Sequence, residues 1–199
     1  MCSSDLVKGL SDGKIKAAYK ISINSESVMN IEYEFSGLPA DLIREAGIQF
    51  IAGDLFDTLR WKRETYWKGY AGNNLSGPEG RVALYSDLNK KYRSEPQKDW
   101  IFDKKSFFYN GTGDETADQL TNVARSTKED IYEYALHLKT GGEVNVSSNA
   151  EKSCRIARHD EGIRLFINDI VDYPDIAWGN YSANVSLSSF SGKSTVLLK

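Results

Sequence analysis

The sequence is poor in the residues that most often carry catalysis or cross-links. Its 199 residues include only two cysteines, Cys2 and Cys154, and two histidines, His137 and His159. Two cysteines exclude a framework of several disulfides and a zinc site with four cysteine ligands. We also find no P-loop, no glycine-rich dinucleotide fingerprint, no HExxH and no GxSxG. We therefore expect no cofactor and no bound metal.

The sequence also has no excess of basic over acidic residues. The formal net charge is −3 and the isoelectric point is about 5.5, so no basic surface for nucleic acid is expected. No apolar run approaches the roughly 20 residues that span a bilayer, and no signal-peptide core is visible. The start MCSSD has two interpretations: an artificial start of the sequence, or a lipoprotein whose signal is replaced by Met, with Cys2 as the lipid anchor. We favour the first, and a periplasmic or extracellular location.

Aromatic residues are abundant, at 12% with eleven tyrosines and four tryptophans. Residues 14–24 place Ile, Ala or Tyr at every second position, and residues 29–35 repeat that period with Met, Ile, Tyr and Phe, which predicts a hairpin with one buried face. Many further short strands separated by turns follow. We predict an all-β fold, an antiparallel sandwich of two large packed sheets, over a single domain at 12–199. We expect residues 1–11 to be an N-terminal tail or an artificial start of the sequence, and Cys154 to be a small buried apolar residue.

Helices contribute little to this prediction. The stretch 39–47 could form one or two helical turns, and so could 114–124. The sequence SGKS at 191–194 predicts a turn between strands at 184–190 and 194–198.

Each of the two histidines could have either a structural or a catalytic role. His137 alternates within DIYEYALHL and is predicted to lie on a sheet surface. His159 lies in the turn RHDEG beside two carboxylates, where acid–base work on a sugar is the alternative to simple solvation. The 28 acidic residues include no pair that stands out as the two carboxylates of a glycosidase.

Aromatic residues in loops are the strongest candidates for ligand contact. The run at 59–70 carries Trp61 and Trp67 among basic residues, and AWGNYS at 177–182 carries Trp178, Asn180 and Tyr181. An aromatic ring suits stacking on the C–H face of a pyranose, and the amide beside it can bind hydroxyls. The alternative is that each Trp closes an edge of the core, which we favour for Trp61 because it ends a strand pattern.

Three stretches in this order resemble a known family. They are LxWxR at 59–63, RSxKExIY at 125–132 and PDxxWGNY at 174–181. Together they resemble the C-terminal β-sandwich domain, or small-chain domain, of glycoside hydrolase family 2 enzymes of the β-galactosidase type. That domain has the galactose-mutarotase-like supersandwich fold, and the resemblance covers about residues 12–199.

The resemblance implies a non-catalytic role. In this family, the Trp that Trp178 matches reaches the active-site rim of a neighbouring barrel domain and stacks on the sugar. The catalytic glutamates belong to the barrel, which this chain lacks. The implied partners are a galactoside-like carbohydrate and the catalytic barrel. The stretch AGNNLSGPEG after Tyr70 departs from the family pattern because it has no histidine, so the resemblance implies no ligand contact from it.

Three other functions remain open. A free-standing carbohydrate-binding module would use the same aromatic loops without a barrel. An aldose-epimerase-like enzyme would need a His acid and a Glu base that converge in one cleft. A purely structural or oligomerisation domain would bury Trp178 in its own core.

Overall fold

The computed structural model describes residues 15–38, 42–43, 45–53, 55–64, 79–83, 127–159, 162–172 and 185–199. These residues form strands and turns, with no helix among them. The strands are β1 Lys16–Ile23, β2 Val28–Ser36, β3 Leu42–Ile43, β4 Glu45–Ala52, β5 Phe56–Arg63, β6 Glu79–Ala83, β7 Ile131–Leu138, β8 Glu143–Ser147, β9 Ser153–His159, β10 Gly162–Val171, β11 Val185–Ser186 and β12 Ser189–Leu198.

The strands build two main antiparallel sheets. The larger has seven described strands in the order β1-β2-β12-β8-β7-β5-β6, and the smaller has three in the order β4-β10-β9. A short pair, β11-β3, stands apart from both. The prediction of an all-β antiparallel sandwich is confirmed.

One apolar core lies between the two sheets. The larger sheet contributes Trp61, Tyr134 and Val146, and the smaller contributes Ile156 and Leu165, all buried. Period-two alternation explains this, because every second residue of these strands is apolar and faces inward. Cys154 belongs to the same core, as predicted.

Two glycines make room for large rings on the inner face of the larger sheet. Gly80 pairs with Trp61 across β5 and β6, and Gly192 pairs with Tyr33 across β2 and β12. A Cβ on either glycine would overlap the ring of its partner. Each ring therefore occupies the space over the glycine of the neighbouring strand, which no other residue would leave open.

The structure corrects two local predictions. The helix predicted at 39–47 is wrong, because β3 and β4 occupy 42–43 and 45–52 and place Ala46 and Ile48 in the core. The turn predicted at 191–194 is also wrong, because β12 continues through Gly192 to Leu198. The glycine there accommodates Tyr33 rather than bending the chain. The helix predicted at 114–124 lies outside the described residues.

Candidate functional site

Four aromatic rings gather on the inner face of the larger sheet, at the end formed by β1, β2 and β12. Phe35 stacks on Phe190 with ring centroids 4.8 Å apart and planes 10° apart. Tyr33 meets both rings edge to face, and Tyr19 meets Phe35 in the same way at 5.7 Å. Tyr33 is 3% exposed, whereas Tyr19, Phe35 and Phe190 are only partly buried. These rings therefore join the core to an accessible surface.

A polar network adjoins these rings at the hydroxyl of Tyr33. The Tyr33 hydroxyl donates to Asp169 Oδ2, and Lys152 Nζ donates to Asp169 Oδ1 and, at 3.2 Å, to Tyr33 Oη. Ser194 Oγ lies 3.3 Å from Tyr33 Oη and must donate, since Tyr33 gives its only proton to Asp169. The four residues link both sheets. We call Tyr19, Tyr33, Phe35, Phe190, Lys152, Asp169 and Ser194 the aromatic–polar cluster.

Local strand geometry places the carboxylate. Ile163, Leu165 and Ile167 face the core at alternate positions of β10, and Asp169 continues that series. A register shift against β4 between Asn168 and Ile170 leaves Asp169 without a ladder partner there, as in a β-bulge. Such bulges often redirect a side chain. Here the residue at the bulge is the acid that accepts hydrogen bonds from both the lysine and the tyrosine.

The electrostatics keep the phenol protonated. Burial is the main cause that raises the pKa of Tyr33, and the hydrogen bond to Asp169 adds to it. Burial also raises the pKa of Tyr19. The Lys152 side chain is 9% exposed and that of Asp169 is 21% exposed, so the carboxylate is the more accessible member of the ion pair. The cluster combines partly exposed rings with a carboxylate near the surface.

A second group of charged residues lies on the outer face of the larger sheet. His137 and Glu143 are cross-strand neighbours, with His137 Nδ1 3.5 Å from Glu143 Oε2. Glu143 Oε1 also lies 3.2 Å from Lys199 Nζ, and Arg60 approaches Glu143 at 3.8 Å. Burial acts to raise the pKa of Glu143, but Lys199, His137 and Asn145 outweigh it and lower that pKa.

This group bears on the epimerase alternative, which needs a histidine and a glutamate that converge. His137 and Glu143 do converge, but in direct contact and within an ion-pair network, with no space between them for a sugar. A lowered pKa also makes Glu143 a weaker base. The geometry favours the surface interpretation of His137. The other histidine, His159, pairs with Gly162 where β9 and β10 meet.

Most residues predicted to contact sugar cannot be placed. Trp178, Asn180, Tyr181 and Trp67 lie outside the described residues. Trp61 is described: it is 0% exposed, it lies inside β5 opposite Tyr134, and the Lys128 ammonium stands 4.8 Å from its ring centroid. This burial supports the core role for Trp61 and leaves no ring face open to a sugar.

Sequence reasoning did not identify the aromatic–polar cluster. The sequence pattern predicts only that Tyr19, Tyr33 and Phe35 share one apolar face of a hairpin. Lys152 and Asp169 are 119 and 136 positions from Tyr33, so no local pattern links them. The one available indication was Asp169 itself, an acid at a core-facing position of GIRLFIND.

No metal site accompanies the cluster within the described ranges, where no three His, Cys, Asp or Glu side chains form a group suited to an ion. The described residues also contain no helix of the length and apolarity required to cross a membrane. Neither a scan against protein-family models nor a search of curated proteins found a match to this chain.

Proposed function

We propose that this β-sandwich is a non-catalytic domain that contacts carbohydrate. The observation that carries the proposal is the aromatic–polar cluster: the partly exposed rings of Phe35, Phe190 and Tyr19 are connected to the carboxylate of Asp169 through Tyr33. Sugars present apolar C–H faces and hydroxyl groups together, and such a mixed surface complements both. The expected gain from stacking is about 1 kcal/mol beyond burial of apolar area, which suits affinity and specificity rather than chemistry.

In its more specific form, the proposal makes the chain an accessory domain of a β-galactosidase-like glycoside hydrolase. The three stretches that resemble this family support that form. Chain connectivity is compatible with it. Residues 173–184, which carry Trp178, Asn180 and Tyr181, join the end of β10 to β11. Asp169 lies on β10 just before this segment, and Phe190 lies on β12, the strand that follows β11, so the segment is close in sequence to two residues of the cluster.

A sugar titration tests the proposal on this chain. Intrinsic fluorescence is recorded against galactose, lactose and a panel of β-linked oligosaccharides. We expect saturable binding that weakens at least several-fold in Phe190→Ala, since this change removes one ring of the stacked pair. Phe166→Ala is the matched control, because Phe166 packs against Arg155 on the smaller sheet and lies outside the cluster.

The outcomes separate the forms of the proposal. If Trp178→Ala and Phe190→Ala each abolish binding as single variants, the result would support a site shared by the predicted loop and the cluster. Binding that Phe190→Ala leaves unchanged would contradict a role for the cluster. The absence of saturable binding to every sugar tested would contradict carbohydrate contact by this chain.

A further inference from the structure

Strand β1 stands at one end of the seven-stranded sheet as described, paired with β2 on one side. Its residues from Lys20 onward are exposed, as are the turn residues that follow as far as Ser27. An unpaired strand edge presents N–H and C=O groups that another strand can bind. This edge is therefore a place where a strand could be added.

The hydrogen-bond phase of β1 shows which backbone groups face outward. Asn24 N donates to Val28 O at 3.1 Å, which makes Asn24–Val28 a hydrogen-bonded pair of the hairpin. On the far side of β2, Leu198 N donates to Ser27 O at 2.9 Å, which fits the same phase. Because such pairs alternate in an antiparallel ladder, the backbone groups of Tyr19, Ile21 and Ile23 point away from β2.

The side chains of the same residues are unusually apolar for an open edge. Along the inner face of β1, exposure rises from 4% at Ala17 to 37% at Ile21 and 60% at Ile23. The smaller sheet therefore leaves the end of β1 uncovered. Two exposed isoleucines, beside backbone groups that no described strand pairs with, favour a strand partner that brings apolar side chains of its own.

We propose that this partner is a second copy of the chain, paired antiparallel through β1 so that Ile21 faces Ile21 of the second copy. This register pairs residues whose backbone groups face outward, as an antiparallel ladder requires. It also places each Ile23 opposite Tyr19 of the other copy. The contact is two-fold symmetric and joins two seven-stranded sheets into one.

Charge disfavours one of the two neighbouring registers. With Ile21 opposite itself, each Lys20 faces Ser22 of the other copy. A shift by one step would place Lys20 opposite Lys20, which is unfavourable. The Lys20 charge is also paired within its own chain, since its Nζ lies 3.2 Å from Glu32 Oε2. The lysine that would otherwise protect this edge is thus compatible with the dimer.

Sedimentation equilibrium of the full chain, from low to high micromolar concentration, tests the inference. We expect reversible dimerisation that Ile21→Lys weakens at least tenfold, because two added lysines would meet across the two-fold axis. Ile51→Lys is the matched control, because Ile51 is 50% exposed and lies on β4 of the other sheet. It should leave dimerisation unchanged.

Cysteine cross-linking tests the register. In a Cys2→Ser background, Ile21→Cys should form an intermolecular disulfide, since hydrogen-bonded neighbours lie about 5.5 Å apart at Cα. Ser22→Cys should not, because Ser22 faces Lys20 rather than itself. A chain that stays monomeric throughout, a dimer unaffected by Ile21→Lys, or equal cross-linking of both cysteine variants would overturn the inference.

Discussion

Tyr33 is the residue on which the candidate site depends most directly. Its ring contacts Phe35 and Phe190, and its hydroxyl holds Asp169, Lys152 and Ser194. The hydroxyl gives its proton to the acid and receives hydrogen bonds from the lysine and serine. One residue thus fixes the aromatic and the polar parts of the cluster relative to each other.

The ion pair beside Tyr33 gives a prediction at this scale. Asp169→Ala leaves the Lys152 ammonium, in a residue 8% exposed, without its carboxylate partner. We expect a loss of about 3 kcal/mol in the free energy of unfolding, measured by urea denaturation. The double variant Lys152→Met with Asp169→Leu removes both charges and should recover most of that loss. Equal stability of the single and double variants would show that the unpaired charge is not the cause.

At the scale of elements, β12 shows how strand pairing and a ring from a distant part of the sequence determine local structure. Its SGKS stretch at 191–194 has turn composition, yet the strand continues through it because β2 pairs with every one of these residues. β8 pairs with the part of β12 that follows, from Thr195 to Leu198. Gly192 is required by the ring of Tyr33, which lies 159 positions earlier in the chain. Local turn preference therefore gives way to pairing and packing that only the complete sheet provides.

Gly192→Ala tests this account of β12. The added Cβ would overlap the Tyr33 ring, so either the ring or the strand must move. We expect a loss of about 1–3 kcal/mol in the free energy of unfolding, as in other overpacked cores. Gly53→Ala is the control: its Cβ would meet no atom within 4 Å, and its stability should change by less than about 0.5 kcal/mol. A Gly192→Ala variant as stable as the control would contradict the packing role of this glycine.

Part of this architecture was predictable from sequence because it is local. Alternation in 14–24 and 29–35 predicts β1 and β2, and the observed pairing of Tyr19 with Tyr33 follows from their shared face. The helix prediction at 39–47 failed because a short amphipathic stretch is ambiguous until its pairing strand, β10, is known. The contacts of Lys152 and Asp169 with Tyr33 depend on how the two sheets pack, which no local period encodes.

For the whole molecule, the core between the sheets determines how stability responds to alkaline pH. Burial raises the pKa of the Cys154 thiol and of the Tyr134 phenol above their ordinary values of 9.0 and 10.0. The unfolded chain therefore releases these protons at lower pH than the native protein does. The stability they contribute is fully present below about pH 9 and is lost as the pH rises further.

Urea denaturation at a series of pH values measures this effect. Above pH 9, the free energy of unfolding should fall by up to about 1.4 kcal/mol per pH unit for each buried group. Cys154→Ala removes the group that ionises first, so its decline should begin nearer pH 10. A free energy of unfolding that stays level to pH 11 would contradict burial of these groups in a single core.

The central claim is that the aromatic–polar cluster forms a carbohydrate-contacting surface, and an NMR titration tests it most directly. Amide spectra of ¹⁵N-labelled protein are recorded with increasing lactose, with sucrose as a control for general solvent effects. The account predicts saturable shifts concentrated at Tyr19, Phe35, Asp169 and Phe190. Saturable shifts confined to the outer face around His137 and Glu143, or no saturable shifts at any residue, would contradict it.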